Sequence, residues 1–192
     1  DDLGDTAMRW LPVECDMRMR KHNWFYSEND VHTVKTVKQC VDIYDMSVGR
    51  GANMLINIGP DRRGLLPELD SQSLIGMGQY ITQRQAKPFA TLADFEASDD
   101  GMTWTYDNEN TAKSDCNFIV IQEDLTHGEA VKRYTIDING FGKGRFFSMH
   151  QGLTIGHKQI IRLPEFYCSK LRLRVLDSDG PVKLRSLELH CI

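Results

Sequence analysis

The period of the hydrophobic positions changes near residue 90. Upstream it is helical: Val34, Val37, Val41, Tyr44 and Val48 recur at three- and four-residue steps, which predicts an amphipathic helix over 31–48, ended by Gly49 and Gly51. The short apolar run 53–58 reads as a strand, and Gly59, Pro60 and Gly64 break the chain into a loop after it. Pro67 and Asp70 prepare a second helix from about Ser71 to Gln83, with Leu74, Met77 and Ile81 on its inner side. At the start, Pro12 and the alternation Met17, Arg18, Met19, Arg20 argue against a helix, so 10–30 reads as a strand that runs out into a long loop. Residues 10–83 therefore spell two βα units, as expected of the tail of a (β/α)8-type barrel.

The segment 83–95 carries Pro88 and loses the helical period. It divides the chain into a barrel part, 1–87, and a second domain, 88–192. There the period becomes two, with strands expected over 117–122, 131–138, 145–149, 159–163, 170–176 and 184–190 and turns at Asn139–Gly140 and Asp179–Gly180. In 171–175 leucines alternate with arginines, so one face is buried and the other wet. Six or more such strands make an antiparallel β-sandwich. Its expected core is Phe118, Val120, Val131, Tyr134, Ile136, Leu171, Leu173, Val175, Leu187 and Leu189, and with a core of its own it is expected to fold alone.

Composition narrows the partners. The 192 residues are 41% hydrophobic, enough for a core, and the net charge of −4 comes from interspersed acids and bases. No basic stripe recommends a nucleic acid or an anionic membrane, and no apolar run reaches the length of a membrane span. The chain opens on a polar stretch without Met and enters a motif within ten residues, so a fragment or processed piece is expected. Five cysteines without a Cys-x-x-Cys spacing suggest neither a zinc site nor a complete disulfide framework; buried free thiols are the expectation, with no metal and no cofactor.

Candidate chemistry concentrates in 10–30. In a parallel barrel the residues at and beyond the C-terminal strand ends face the shared active site, which makes Glu14 the candidate catalytic acid and Asp16 its rival on the same side. The plainer reading pairs Glu14 with Arg18 or Arg20. The glycines of 49–55 precede a strand instead of opening a helix, the wrong order for a phosphate cradle. His157 and Lys158 read as a strand-end turn.

Several motifs in order give this stretch a family likeness. They are Trp10, Pro12, Glu14 and Asp16; Arg20; the triplet Trp24, Phe25, Tyr26; Ser-Val-Gly-Arg-Gly at 47–51; Asn53, Leu55 and Asn57; and Gly-Pro-Asp at 59–61 followed by Gly64 and Leu65. Together they resemble the end of the catalytic domain of the α-L-fucosidases of glycoside hydrolase family 29. The second half is similar to the C-terminal β-sandwich of galactose-binding-domain type found in that family, through Asn117, Val120, Glu123, Asp124, Gly128 and Val131, then Gly152, Ile155, Gly156, Lys158 and Ile160.

The resemblance implies a retaining exo-hydrolase that removes terminal α-L-fucose from glycans, with two carboxylates about 5 to 5.5 Å apart. Position by position, Glu14 corresponds to the acid/base, Arg20 to the arginine of the following loop and Trp24 to an aromatic near the sugar, with Asp16, Arg20 and Trp24 as substrate contacts. The aspartate nucleophile of the family lies on an earlier barrel strand that nothing here matches, so the implied partners are a fucosylated glycan and the N-terminal barrel portion of the same protein. A secreted, periplasmic or lysosomal location is implied in the same way. Ser27 stands where the family commonly has histidine, and the loop at 21–23 is one residue longer. The alternatives are a non-catalytic sugar-binding module, with Trp104 and Tyr106 as an exposed platform, and a purely structural sandwich.

Overall fold

The computed structural model describes residues 11–107, 115–139 and 145–192. Trp10 and Gly140, which belong to the first motif and to an expected turn, lie outside the described residues. The fold is mostly antiparallel sheet with few helices, arranged in three layers.

The first layer holds the parallel pair β1 (Glu14–Arg18) and β2 (Asn53–Asn57), with α1 (Val37–Ser47) packed on one face of it and α2 (Glu68–Gln85) packed against α1. Strand β1 alternates. Met17 and Met19 are buried on the helix side, where the Cys40 thiol of α1 meets the Met19 sulfur at 3.8 Å, while Glu14 and Asp16 are exposed on the other face. The helix expected over 31–48 starts later, at Val37, because Thr36 and Gln39 close a capping box: each side chain bonds the other's backbone N–H. The residues before it form a short 3-10 helix, Glu28–Thr33, capped by Ser27.

The second and third layers are the sandwich. A three-stranded sheet runs β10 (Leu184–His190), β5 (Asp115–Glu123), β8 (Gln159–Tyr167). A five-stranded sheet runs β3 (Phe95–Ala97), β4 (Thr103–Asp107), β9 (Lys170–Ser178), β6 (Val131–Asn139), β7 (Phe146–Gly152). Between them lies one apolar core that includes Ile119, Ile121, Tyr134, Ile136, Leu171, Leu173 and Leu187. All ten core residues expected from the sequence are buried. Two of them, however, sit outside that inter-sheet core: β5 is apolar at consecutive positions, so Ile119 and Ile121 face the opposite sheet and Phe118 and Val120 face the helical layer.

Trp104 and Tyr106 are on β4, an element the sequence reading left as a loop. They are 7% and 8% exposed within the core, so they form no binding platform. Glu123, at the end of β5, explains its own motif. Its buried carboxylate accepts the backbone N–H groups of Ala130, Val131 and Gly156, stapling two loops of the sandwich together.

The helical layer docks on the three-stranded sheet. Gly49 O accepts from Ile160 N at 2.7 Å, extending β8 by one bridge. Asp45 of α1 is held by both terminal nitrogens of Arg84 at 2.9 and 2.7 Å, and by the guanidinium of Arg162. Arg84 also lies over the Phe118 ring, 4.5 Å from its centroid.

Candidate functional site

The C-terminal ends of β1 and β2 are organised by Arg20, which is 5% exposed. Its Nε and Nη2 donate to the Asp70 carboxylate at 3.0 and 2.8 Å, and Nη1 donates to Asp30 at 2.9 Å and to Ser27 O at 2.7 Å. Asn23 Nδ2 donates to the other Asp30 oxygen at 2.8 Å. The hydrogen bond to Asp70 is the largest influence on Arg20 and holds its pKa further above the ordinary arginine range. For Asp30 burial is the largest single influence and pushes upward, yet hydrogen bonds from Asn23 and Arg20 outweigh it and the net direction is down. A guanidinium with this many fixed partners pins the loop to the first turn of α2.

The aromatic triplet follows from that anchor. Trp24 is half exposed, with the Arg18 guanidinium 5.4 Å from its ring centroid, and Arg20 stacks on Tyr26 at 5.2 Å. Arg18 Nη1 also donates to His22 O at 3.0 Å, which fixes the path of the longer 21–23 loop. Gly59 lets the loop after β2 touch this segment, since a Cβ there would meet Tyr26 N and, at 2.8 Å, the Phe25 carbonyl carbon. A cleft of about 540 Å³ opens between the two loops, walled by Tyr26, Ser27, Pro60 and Asp61.

Glu14 lies elsewhere on β1. It is the first residue of the strand, whereas Arg18 is the last, so about 13 Å of strand separates them. The sequence reading placed Glu14 at the C-terminal end of a strand, but it opens β1, with Leu11 and Val13 exposed ahead of it. Asp16 shares the face of Glu14 and stands two residues nearer the C-terminal end. Asn53, paired in register with Glu14, donates to its carboxylate at 3.4 Å. That partner was missed, although the Asn-x-Leu-x-Asn strand already singled it out. On the same face Leu55 is 47% exposed between Asn53 and Asn57, leaving an open surface of acids, amides and one leucine. Thus the structure brings Arg18 to Trp24 and Arg20 to Tyr26, and leaves Glu14 and Asp16 on the open face of the strand pair.

A larger groove, about 870 Å³, lies away from this end, between α1 and the β7–β8 side of the sandwich. His150 and Tyr134 meet there at 3.3 Å. No cluster of metal-ligating side chains occurs among the described residues.

The parallel pair with its acid-bearing face can now be set beside known proteins. The family model described as Alpha-L-fucosidase matches residues 5–86, the segment that carries this pair. An Arabidopsis thaliana protein, alpha-L-fucosidase 1, is 24% identical over 180 residues, covering 80% of this chain and 35% of its own length. The chain is similar to the C-terminal part of the alpha-L-fucosidases. Its likeness extends through the sandwich: a Bacteroides thetaiotaomicron protein assigned as an alpha-L-fucosidase superposes with a TM-score of 0.85 at 26% identity, over 95% of this chain and 41% of that one. A Bacteroides ovatus protein with the same assignment is 30% identical, with a TM-score of 0.72 over 94% of this chain and 30% of its own. The chain thus spans about a third of the length of the curated alpha-L-fucosidases it matches.

Proposed function

We propose that residues 1–87 are the tail of a (β/α)8-type catalytic barrel and 88–192 a sandwich of galactose-binding-domain type, together forming the C-terminal part of a retaining exo-α-L-fucosidase. The observation that carries this reading is the parallel β1–β2 pair, covered by helices on one face and open on the other, inside the segment matched by the family model. In a closed barrel that open face points inward, where Leu55 finds apolar neighbours and the acids reach the site.

Glu14 is assigned as the acid/base, which protonates the leaving oxygen and then activates water. Asp16 and Trp24 contact the sugar. Arg20 contributes by position: its carboxylate partners hold the loop that carries Trp24. The nucleophile belongs to the part of the barrel outside this chain, so the 192 residues alone do not hydrolyse an aryl α-L-fucoside. An address in the secretory pathway, periplasm or lysosome follows from the same reading.

The motif position favours Glu14, and the position of Asp16 nearer the strand's C-terminal end favours the rival. Two variants of the intact parent decide. Glu14→Gln lowers turnover of substrates with poor leaving groups by roughly a hundredfold or more, spares fucosides of acidic phenols, and azide rescues Glu14→Ala. If Asp16→Asn behaves that way while Glu14→Gln is near normal, the roles are exchanged.

A further inference from the structure

The groove between α1 and the β7–β8 side of the sandwich, at about 870 Å³, has the size of a small-molecule site. Its walls come from three directions: the C-terminal part of α1 with Arg50 beyond it, strand β7 with the link that follows, and the start of β8. Its floor is Tyr134, which is 1% exposed. Gly152 faces Tyr134 in register across β6 and β7, and a Cβ there would overlap the Tyr134 ring. The space left by Gly152 holds that ring, whose hydroxyl meets His150 Nε2 at 3.3 Å.

The walls carry hydrogen-bonding groups that the protein itself does not use. The amides of Gln151 and Gln159, the Thr154 hydroxyl and the Arg50 guanidinium line the groove, and none of them makes a side-chain hydrogen bond or ion pair among the described residues. The carboxylates of the lining are already taken up, Asp42 by Lys38 at 2.6 Å and Asp45 by Arg84 and Arg162. Two apolar side chains complete the walls: Met46 on the helix, 60% exposed, and Leu153 on the sandwich, 73% exposed.

We propose that this groove is a binding site for a neutral oligosaccharide, with the C–H faces of the sugar rings against Met46 and Leu153 and their hydroxyls on Gln151, Gln159 and Thr154. A sugar hydroxyl both donates and accepts, and a primary amide offers both functions in return. An apolar ligand would strip water from these groups without replacing their hydrogen bonds. An ionic ligand finds no field to draw it, because the carboxylates of Asp42 and Asp45 balance the guanidiniums of Arg50 and Arg162 in the lining. An extended peptide adds to a regular strand edge, whereas β7 is irregular where its register shifts opposite Ile136 and Asp137. The lining has no exposed aromatic ring for a sugar to stack on, so the affinity belongs in the millimolar range. The site does not depend on the acid/base assignment of Glu14.

The test is an NMR titration of the 192-residue chain, reading side-chain amides and methyl groups, with lactose, N-acetyllactosamine and cellobiose as neutral probes and glucuronic acid as the charged control. At least one neutral disaccharide is expected to shift the Gln151 and Gln159 amides together with the Met46 and Leu153 methyls, saturating with a Kd of about 1–10 mM, while glucuronic acid leaves them unmoved. A Gln151→Ala, Gln159→Ala double variant lowers the affinity roughly tenfold. It keeps its melting temperature, because neither amide has a partner among the described residues. Should that variant fail to fold, the wild-type titration still decides. The proposal is overturned if none of the disaccharides moves the groove signals at about 50 mM, or if the shifts fall at Glu14 and Trp24 instead. Stronger shifts with glucuronic acid than with the neutral sugars, or a folded double variant that binds like the wild type, overturn it equally.

Discussion

His150 shows how one side chain couples the groove between the layers to pH. Its ring nitrogen meets the Tyr134 hydroxyl, and burial first, then the positive charge of Arg50, lower its pKa below the ordinary histidine value. Tyr134 is pushed the other way, upward, by burial alone. As pH falls below about 6.5 the unfolded chain takes a proton at this position while the folded chain resists it, so stability present above that pH is lost progressively below it. Denaturant midpoints measured at pH 7.5 and pH 5.5 should therefore fall for the wild type and fall less for His150→Gln; equal slopes would mean that His150 does not carry the effect. Asp30 and Asp137 act in a separate window. In both, burial is the largest influence and pushes up, but the hydrogen bonds from Asn23 and Arg20, and from Arg174, Arg172 and Thr135, prevail and hold the carboxyls down. Their contribution is complete above about pH 4 and disappears below it.

Between elements, the contact that decides how the layers sit is Gly49. It follows α1, its carbonyl bonds β8, and a Cβ there would meet the Asp45 carbonyl oxygen and, at 2.8 Å, the Ile160 Cβ. Neither neighbour is a flexible side-chain end, so Gly49→Ala is expected to cost about 2–3 kcal/mol in urea unfolding. Gly78→Ala on α2 is the contrast: nothing lies within 4 Å of that Cβ, so it should gain about 0.5–1 kcal/mol from helix propensity. A destabilisation no larger at Gly49 than at Gly78 would show that the layers are free to shift. What was legible in the sequence follows the same division. Period and turn residues foretold both helices, β2 and six sandwich strands, since each depends on local spacing. The capping box at Thr36 shortened α1, and the short strands β3 and β4 were hidden by a segment with no familiar motif. For the candidate site, the motifs named Arg20 and Trp24; the structure stacks Arg20 on Tyr26 and sets Trp24 beside Arg18. They could not reveal that Arg20 is taken up by Asp30 and Asp70, because its partners lie 10 and 50 residues away.

At the scale of the whole molecule, the boundary near residue 87 separates two patterns but divides one set of contacts. Phe118 is fully buried and Val120 is 2% exposed on the sheet face turned to the helices, with Arg84 stacked on Phe118 and bound to Asp45. A fragment 88–192 keeps its inter-sheet core, but its three-stranded sheet then presents an uncovered phenylalanine and valine to water, and Arg162 loses Asp45. Exposing a large aromatic and a valine is worth about 4 kcal/mol, which for a domain of this size lowers Tm by roughly 15 °C or more. The fragment should therefore unfold cooperatively, melt well below the full chain and bind a hydrophobic dye, and Phe118→Gln within the fragment should weaken that binding. A fragment that melts with the full chain and leaves the dye dark would mean that the helical layer only rests on the sandwich, in which case 88–192 is an independent unit and the Arg84–Asp45–Arg162 cluster contributes little to holding the two together.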